Sequence, residues 1–258
     1  MANMNSLEGK VALVTGAGTG IGRGIALMFA EHGAKVVVAA RREEPLKAVC
    51  AAHPDAISYV QMDLVNAEDR ANALATVIER HGRLDILVNN AAHQLYKPFL
   101  ETEDEVIDAV FYTNTSATVR LIKAAVPHLA ESGGNIVNIS STAGRHTAVP
   151  ALYLSVYGAS KAALNQLTRS LGSELGPMGV RINTVAPGST RAEFSDAVTA
   201  TQAASSKADE SVRMMTPLGR RGEPEDIAKV VLFLASEQAA WVTGQIVDAS
   251  GGFQIAAG

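Results

Sequence analysis

Cysteine, long apolar runs and an excess of charge are all missing from this sequence, and each absence excludes a class of protein. Cys50 is the only cysteine in 258 residues, so no intrachain disulfide can form and we expect a reducing compartment, the cytoplasm. The six histidines lack ligand-like spacing, which argues against a protein-built metal site. No run approaches the roughly 18 apolar residues of a membrane span. The net charge of −4 does not favour nucleic acid or an anionic membrane as partner.

The sequence does contain an alternation of short apolar runs and longer helical stretches. Seven β-branched runs are predicted to be strands: Val11–Thr15, Lys35–Ala39, Tyr59–Met62, Leu84–Val88, Ile136–Ser140, Arg181–Val185 and Gln245–Val247. Predicted helices between them include Ile21–His32, Ala67–His81 and Thr102–Glu131, each with glycine shortly after its end. Continuously apolar strands joined by helices predict an α/β fold, a doubly wound parallel sheet in one domain over residues 1–258. The Ala-, Ser- and Thr-rich segment 189–215 is predicted to be a mobile helical flap.

Five glycines fall within nine positions directly after the first predicted strand, in "VTGAGTGIGRG" (residues 14–24). A turn from a parallel strand into a helix offers unpaired N–H groups and a partial positive charge, which suit a pyrophosphate. Gly16, Gly20 and Gly22 give G-x-x-x-G-x-G and not G-x-G-x-x-G, so the pattern alone also allows a tight turn without a ligand. Its position after the first strand favours a dinucleotide.

A second pattern is the tyrosine and lysine in "SVYGASKAALNQLTRSLGSEL" (residues 155–175). Leucines at helical spacing from Leu164 to Leu175 mark an apolar face, with Tyr157 on it and Lys161 beside it. Burying an ammonium is costly, so the lysine either reaches solvent or has a chemical purpose. The functional interpretation is an acid–base pair, in which a nearby cation lowers the pKa of the phenol.

These motifs occur in an order that resembles the classical short-chain dehydrogenases/reductases. The resemblance is carried by "TGAGTGIG" (15–22), "NNAA" (89–92), Asn114, "NISS" (138–141), "YGASK" (157–161), "APG" (186–188) and two C-terminal segments (217–236 and 242–252). It extends from about Leu7 to Phe253. It implies a Rossmann-like sheet of seven strands, a nicotinamide dinucleotide, and the interconversion of alcohols and carbonyls.

The resemblance also implies roles for individual residues. Tyr157 would be the general acid–base, and Lys161 would lower its pKa while binding the nicotinamide ribose. Ser141 would hold the substrate oxygen, and Asn114 would position a water in a proton relay. Tyr153 is not an alternative catalytic tyrosine because no lysine stands four residues after it.

The cofactor-binding residues that the resemblance implies lie in the glycine turn and after the strands. They are Gly16, Gly18, Thr19, Gly20, Ile21, Gly22, Arg41, Arg42, Asp63, Leu64, Asn90, Ala91, Tyr157, Lys161, Pro187, Gly188 and Thr190. Asp63 would bind the adenine amino group. Either Thr190 or the region of Ala192 would contact the carboxamide.

The end of the second predicted strand indicates which dinucleotide to expect. NAD-binding turns usually have an acidic residue about 20 positions after the glycines. Here the strand ends at Ala40, and Arg41 and Arg42 follow at once. Arg41 matches the family position whose arginine marks a 2′-phosphate, which a guanidinium binds through charge-assisted hydrogen bonds. We expect NADP(H), with NAD(H) as the alternative. The pattern also allows the two arginines to pair with Glu43 and Glu44 in a surface cluster that has no cofactor role.

The substrate site is predicted less directly. The 15 residues between Ser141 and Tyr157 predict a bulky lip over the substrate. The candidate substrate residues are His93, Ser141, His146, Tyr153 and Tyr157, with Gln94, Leu152 and Phe194 as further lining. This largely apolar set favours a neutral, moderately hydrophobic ketone or secondary alcohol.

Other functions and states of assembly stay open at this point. A serine hydrolase and a P-loop NTPase are disfavoured because neither G-x-S-x-G nor G-x-x-x-x-G-K-[ST] occurs. A catalytically silent dinucleotide sensor, or a dehydratase or epimerase with the same Tyr–Lys pair, remains possible. Helices Thr102–Glu131 and Ser155–Leu175 resemble those that pair subunits in the family. We therefore predict a homotetramer, with a dimer or a monomer as alternatives.

Overall fold

The computed structural model describes residues 6–146, 153–191 and 210–253, which contain a seven-stranded parallel sheet. The strands are β1 (Val11–Thr15), β2 (Lys35–Ala40), β3 (Ile57–Gln61), β4 (Ile86–Asn89), β5 (Asn135–Ile139), β6 (Arg181–Pro187) and β7 (Ile246–Ala249). Their order is β3-β2-β1-β4-β5-β6-β7. Because the order reverses between β1 and β4, the carboxyl ends of these strands border the crevice where doubly wound sheets bind ligands.

Helices cover both faces of the sheet. They are α1 (Gly20–Glu31), α2 (Glu43–Ala52), α3 (Ala67–His81), α4 (Asp104–Phe111), α5 (Thr118–Ser132), α6 (Ser155–Leu175) and α7 (Pro224–Ala235). Ala12 and Val14 of β1 pack in the layer of α1, α2 and α7, whereas Val11 and Leu13 pack in the layer of α3, α5 and α6. Burial of both faces explains why the strands are continuously apolar, and it confirms the predicted doubly wound α/β sheet.

The prediction of one continuous α-helix over Thr102–Glu131 is wrong. It consists of α4, a π-helical segment (Tyr112–Ala117) and α5. The wider turn contains Asn114, whose side-chain amide bonds to two other segments of the chain. Hydrogen-bonding partners far away in sequence therefore stabilise a geometry that local helix propensity does not predict.

Smaller differences concern the ends of elements and the predicted flap. The predicted strands differ from the observed ones by at most two residues at either end. Most of the predicted flap lies outside the described residues, and its last part, residues 210–215, is helical. In the described part of the chain, no helix combines the length and the apolar character that crossing a bilayer requires.

Candidate active site

The glycine turn joins β1 to α1 at the carboxyl edge of the sheet and packs closely against the segment after β4. Gly16 has a φ of +64°, and a Cβ on it would lie 2.8 Å from Cα of Ala91. A Cβ on Gly22 would lie 2.5 Å from Nδ2 of Asn90. That same Nδ2 donates to the carbonyls of Thr15 and Gly16, each at 3.0 Å. Gly16 and Gly22 are therefore required by the packing of the turn itself.

The start of α1 has the donors that a pyrophosphate needs. Thr19 precedes the helix in an extended conformation, and its side chain makes no capping hydrogen bond. In this fully described helix, the first turn contains no acidic residue. The side chains of α1 therefore do not neutralise its positive end, and the backbone amides from Gly20 onward face the crevice edge. This donor set fits a dinucleotide phosphate.

The two arginines after β2 are exposed, and the glutamates beside them have other partners. The Tyr59 hydroxyl donates to Glu43 at 2.8 Å, and the Lys47 ammonium lies 3.5 Å from Glu43 and 3.0 Å from the next glutamate. In the described parts of the chain, no ion pair joins Arg41 or Arg42 to a carboxylate. The ion pairing of the arginines with Glu43 and Glu44 that the sequence also allowed is therefore not seen in this part of the chain, and the role of the arginines stays a prediction.

Asp63 and Leu64 follow β3, next to the end of β2. Leu64 is buried, whereas Asp63 is half-buried. The backbone N–H of Asp63 donates to Asp69 at 2.7 Å, and the carboxylate of Asp63 accepts from the N–H of Val65 at 3.2 Å. These bonds fix the turn and hold the Asp63 carboxylate at the rim of the crevice.

Helix α6 places Tyr157 and Lys161 together at the carboxyl edge of the sheet. Lys161 is 2% exposed, and its Nζ donates to the carbonyl of Ile139 at 2.8 Å and lies 5.7 Å from the centroid of the Tyr157 ring. Burial lowers the pKa of Lys161 to about 8. The sequence-based alternative of a lysine that reaches solvent is therefore wrong.

The pKa of Tyr157 does not shift in the predicted direction. Burial raises it above the ordinary value of a phenol, a charge on Tyr96 would raise it further, and a hydrogen bond with Ser141 opposes the rise. Lys161 is not among the groups that shift this pKa, although its Nζ lies 5.7 Å from the centroid of the Tyr157 ring. The prediction considered the neighbouring charge but left out desolvation, which disfavours the charged form of both groups.

Two adjacent serines after β5 point to different partners. Ser140 Oγ donates to the carbonyl of Lys161 at 3.2 Å and is buried. Ser141 Oγ accepts from the N–H of Ala143 at 3.1 Å. Ser141, and not Ser140, is the serine whose hydrogen bond lowers the pKa of the Tyr157 phenol. The structure therefore places Ser141 next to the tyrosine and turns Ser140 away from it.

Asn114 connects three parts of the site. Its Oδ1 accepts from the N–H of His93 at 2.7 Å, and its Nδ2 donates to the carbonyl of His93 and to Ser160 Oγ, each at 3.0 Å. Ser160 Oγ in turn donates to the carbonyl of Tyr157 at 2.7 Å. Both amide hydrogens of Asn114 are thus used within the protein, so a water could bond to this side chain only through Oδ1.

The residues predicted to form a lip over the substrate do not lie together in the described part of the chain. His146 Nε2 lies 3.2 Å from Asp248, and Arg145 lies 3.0 Å from the same carboxylate, so both contact β7. Tyr153 is exposed, with a φ of +48°, and its carbonyl accepts from the N–H of Lys97 at 3.3 Å. Residues 147–152 and 192–209, which include Leu152, Ala192 and Phe194, lie outside the described part of the chain.

The segment after β6 closes the far side of the crevice. The N–H of Gly188 donates to the carbonyl of Ala249 at 3.2 Å, and a Cβ on Gly188 would lie 2.8 Å from Cβ of Ser250. The Thr190 hydroxyl donates to the carbonyl of Gly188 at 3.2 Å. This bond occupies the hydroxyl hydrogen, so Thr190 could offer a carboxamide its hydroxyl oxygen.

Comparisons with known proteins match this arrangement over nearly the whole chain. A family model described as "Enoyl-(Acyl carrier protein) reductase" matches residues 16–254. An uncharacterized oxidoreductase of Methylorubrum extorquens is 40% identical over 254 residues, which is 96% of this chain and 99% of the relative. Dehydrogenase/reductase SDR family member 4 of Sus scrofa is 38% identical over 250 residues, 95% of this chain and 88% of the relative. The chain belongs to the short-chain dehydrogenase/reductase family.

A third relative of this short-chain dehydrogenase/reductase is 3-oxoacyl-[acyl-carrier-protein] reductase FabG of Thermotoga maritima, 34% identical over 253 residues, 96% of this chain and 99% of the relative. Membership confirms the resemblance that the motifs indicated. The chain is accordingly an oxidoreductase that acts on CH–OH or C=O groups with a nicotinamide dinucleotide. Membership thus favours an enzyme over the silent sensor.

Sequence reasoning missed two residues of this site. Ser160 joins Asn114 to the backbone of Tyr157, and its only sequence signal is its place within "YGASK". Tyr96 lies in the loop after β4 and is close enough to Tyr157 for a charge on it to affect the pKa there. Its sequence signal is an aromatic residue shortly after "NNAA", two positions beyond the candidate lining residue Gln94.

Proposed function

We propose that this protein is an NADP(H)-preferring reductase of a neutral, moderately hydrophobic ketone, with the oxidation of a secondary alcohol as the reverse reaction. The observation that carries the proposal is the buried ammonium of Lys161 beside the buried phenol of Tyr157. Two such groups would be costly to bury together without a function.

Residues on the opposite side of the crevice would hold the dinucleotide. The amides of the glycine turn and the start of α1 suit the pyrophosphate, and Arg41 and Arg42 suit a 2′-phosphate. Asp63 would accept from the adenine amino group, and Lys161 would donate to the nicotinamide ribose. When bound, the dinucleotide supplies the hydride.

The protein's own residues would orient the ketone and manage the proton. The Ser141 hydroxyl would bond to the carbonyl oxygen and hold it near Oη of Tyr157. Burial keeps the Tyr157 phenol protonated, because it raises the pKa of this group. The phenol, protonated at neutral pH, would donate its proton to the oxygen as the carbonyl becomes an alcohol.

The direct test of the proposed reaction is a panel of neutral ketones with NADPH and with NADH, followed through the absorbance of the reduced nicotinamide. The expected result is consumption of NADPH that depends on the ketone. A folded protein that binds the dinucleotide but consumes no NADPH with any ketone would contradict the proposal.

We also propose that the chain assembles as a homotetramer and works in the cytoplasm. Support comes from three apolar side chains that the single chain leaves exposed: Leu100 just before α4, Phe111 at the end of α4, and Phe233 on α7. Burial of these side chains between copies would remove apolar surface from water. Sedimentation at micromolar concentration is expected to give the mass of four chains, and the mass of one chain would contradict the assembly.

A further inference from the structure

The turn from Ser141 to His146, here called the serine turn, is held together by its own backbone. The N–H of Gly144 donates to the carbonyl of Ser141 at 3.0 Å. The N–H groups of Arg145 and His146 both donate to the carbonyl of Thr142 at 2.9 Å. Because these bonds connect the two ends of the serine turn, a displacement of its last residues would be passed back to Ser141.

The last two residues of the serine turn are anchored on β7. Oδ1 of Asp248 lies 3.0 Å from Nη1 of Arg145, and Oδ2 lies 3.2 Å from Nε2 of His146. Nη1 of Arg145 also donates to the carbonyl of Ile246 at 3.0 Å. The serine turn follows β5, and β6 separates β5 from β7 in the sheet. These contacts therefore bridge two strands that are not neighbours.

Each oxygen of the Asp248 carboxylate has a different partner. An ionised carboxylate only accepts hydrogen bonds, so Nε2 of His146 carries the hydrogen of this contact, in the neutral imidazole as in the charged one. The Asp248 side chain is 17% exposed, so water screens its contacts less than those of a surface ion pair. An asparagine could not replace Asp248, because its amide nitrogen would face one of the two donors.

We propose that Asp248 is a positioning residue for ketone reduction, which acts on Ser141 through Arg145 and His146. This inference rests on the proposed function, because it takes the Ser141 hydroxyl as the group that bonds to the carbonyl oxygen. That hydroxyl has to hold the oxygen near Tyr157, and a misplacement of about 1 Å can cost roughly 100-fold in rate. Asp248 and His146 thus contribute to the rate without touching the substrate.

The experiment measures kcat and the KM for NADPH of Asp248→Asn, His146→Leu and the double variant. The substrate is whichever of butanone, acetophenone and ethyl acetoacetate the parent reduces fastest. Each single change should lower kcat about 10-fold and leave the KM for NADPH within about twofold, because the serine turn shifts and the glycine turn does not. The double variant should lose no more than the worse single variant, since both changes break the same contact. His146→Gln keeps an N–H donor near the position of Nε2, so its kcat should stay close to that of the parent.

Asp85→Asn is the matched control. This carboxylate also pairs with an arginine, Arg83 at 2.6 Å, but it lies at the amino edge of the sheet, where it accepts from the first N–H of β1. The change should lower the free energy of unfolding in urea and leave kcat unchanged. An equal loss of kcat in Asp85→Asn would show a general loosening of the fold and overturn the inference.

Two results for the serine turn itself would also overturn the inference while leaving ketone reduction in place. One is an unchanged kcat in Asp248→Asn. The other is a double variant in which the two losses multiply, because that would place His146 on the substrate and not on Asp248. A parent enzyme that reduces none of the three ketones would instead contradict the proposed function, and the inference with it.

Discussion

The two sides of the crevice are built in different ways. On the side proposed to hold the dinucleotide (the dinucleotide side), beyond β1 and β2, short contiguous segments provide backbone amides and exposed arginines. On the catalytic side, beyond β4 and β5, buried side chains bond across long stretches of sequence, and Asn114 reaches His93 and Ser160, 21 and 46 positions away. The difference indicates that the exposed arginines of the first side can be altered one residue at a time, whereas the second side, like the packed glycine turn, behaves as a connected unit.

The largest effect is expected from Tyr157→Phe on the catalytic side. This change removes only the transferable proton, and general acid–base groups typically contribute about 10²- to 10⁴-fold to the rate. We expect kcat to fall by that factor, while the affinity for NADPH, measured by fluorescence titration, stays within about twofold. Turnover within a few-fold of the parent would contradict the role of Tyr157. Loss of NADPH affinity would show that the two sides are not separable.

The second prediction concerns the pH dependence of the free energy of unfolding, to which the buried Lys161 contributes. Its pKa is about 8 in the fold against an ordinary 10.5, so below pH 8 the buried ammonium destabilises the fold by a constant amount. That cost is relieved as pH rises from 8 towards 10.5, because the unfolded chain then binds more protons than the folded one. Relative to Lys161→Met, the parent's free energy of unfolding should rise by roughly 3 kcal/mol at most across this window.

Urea denaturation of parent and variant at several pH values measures this difference. Lys47→Met is the control on the dinucleotide side, where the lysine belongs to exposed ion pairs with Glu43 and Glu44. Exposed pairs contribute little, so this variant should differ from the parent by a small and nearly constant amount. A flat difference for Lys161→Met as well would mean that its ammonium is not destabilised in the fold.

A smaller effect is expected from Arg41→Ala. A charge-assisted hydrogen bond to a phosphate contributes about 1.5–3 kcal/mol, so kcat/KM with NADPH should fall roughly 10- to 100-fold while that with NADH is largely retained. Glu43→Gln is the control, because Glu43 bonds to Tyr59 and pairs with Lys47. It should leave the cofactor preference unchanged. An equal loss with both cofactors in Arg41→Ala would contradict a contact with the 2′-phosphate.

The contrast between the two sides also explains what could be predicted from sequence. The sheet and the glycine turn follow from local patterns, since few structures other than a buried parallel sheet combine continuous apolar runs with glycines after a strand. The π-helical segment around Asn114 could not be predicted, because contacts with His93 and Ser160 hold it. The pKa of Tyr157 was predicted in the wrong direction because its burial depends on the whole fold.

The residues predicted to form the lip also have positions that the sequence alone could not predict. His146 was expected over the substrate, but the structure pairs it with Asp248 of β7, 102 positions away. Tyr96 is not among the predicted site residues, although it lies close enough to Tyr157 for a charge on it to raise the pKa there. The sequence around His146 does not show that it will contact β7, and the sequence around Tyr96 does not show that it will lie near Tyr157. Both positions depend on which distant element packs against the residue.

The most direct test of the account is the ratio of kcat/KM with NADPH to kcat/KM with NADH for the parent enzyme on one reducible ketone. The exposed Arg41 and Arg42, with Glu43 bonded elsewhere, predict a ratio well above one. A ratio below one would contradict the assignment of the arginines to a 2′-phosphate, and with it the proposed NADP(H)-dependent reductase.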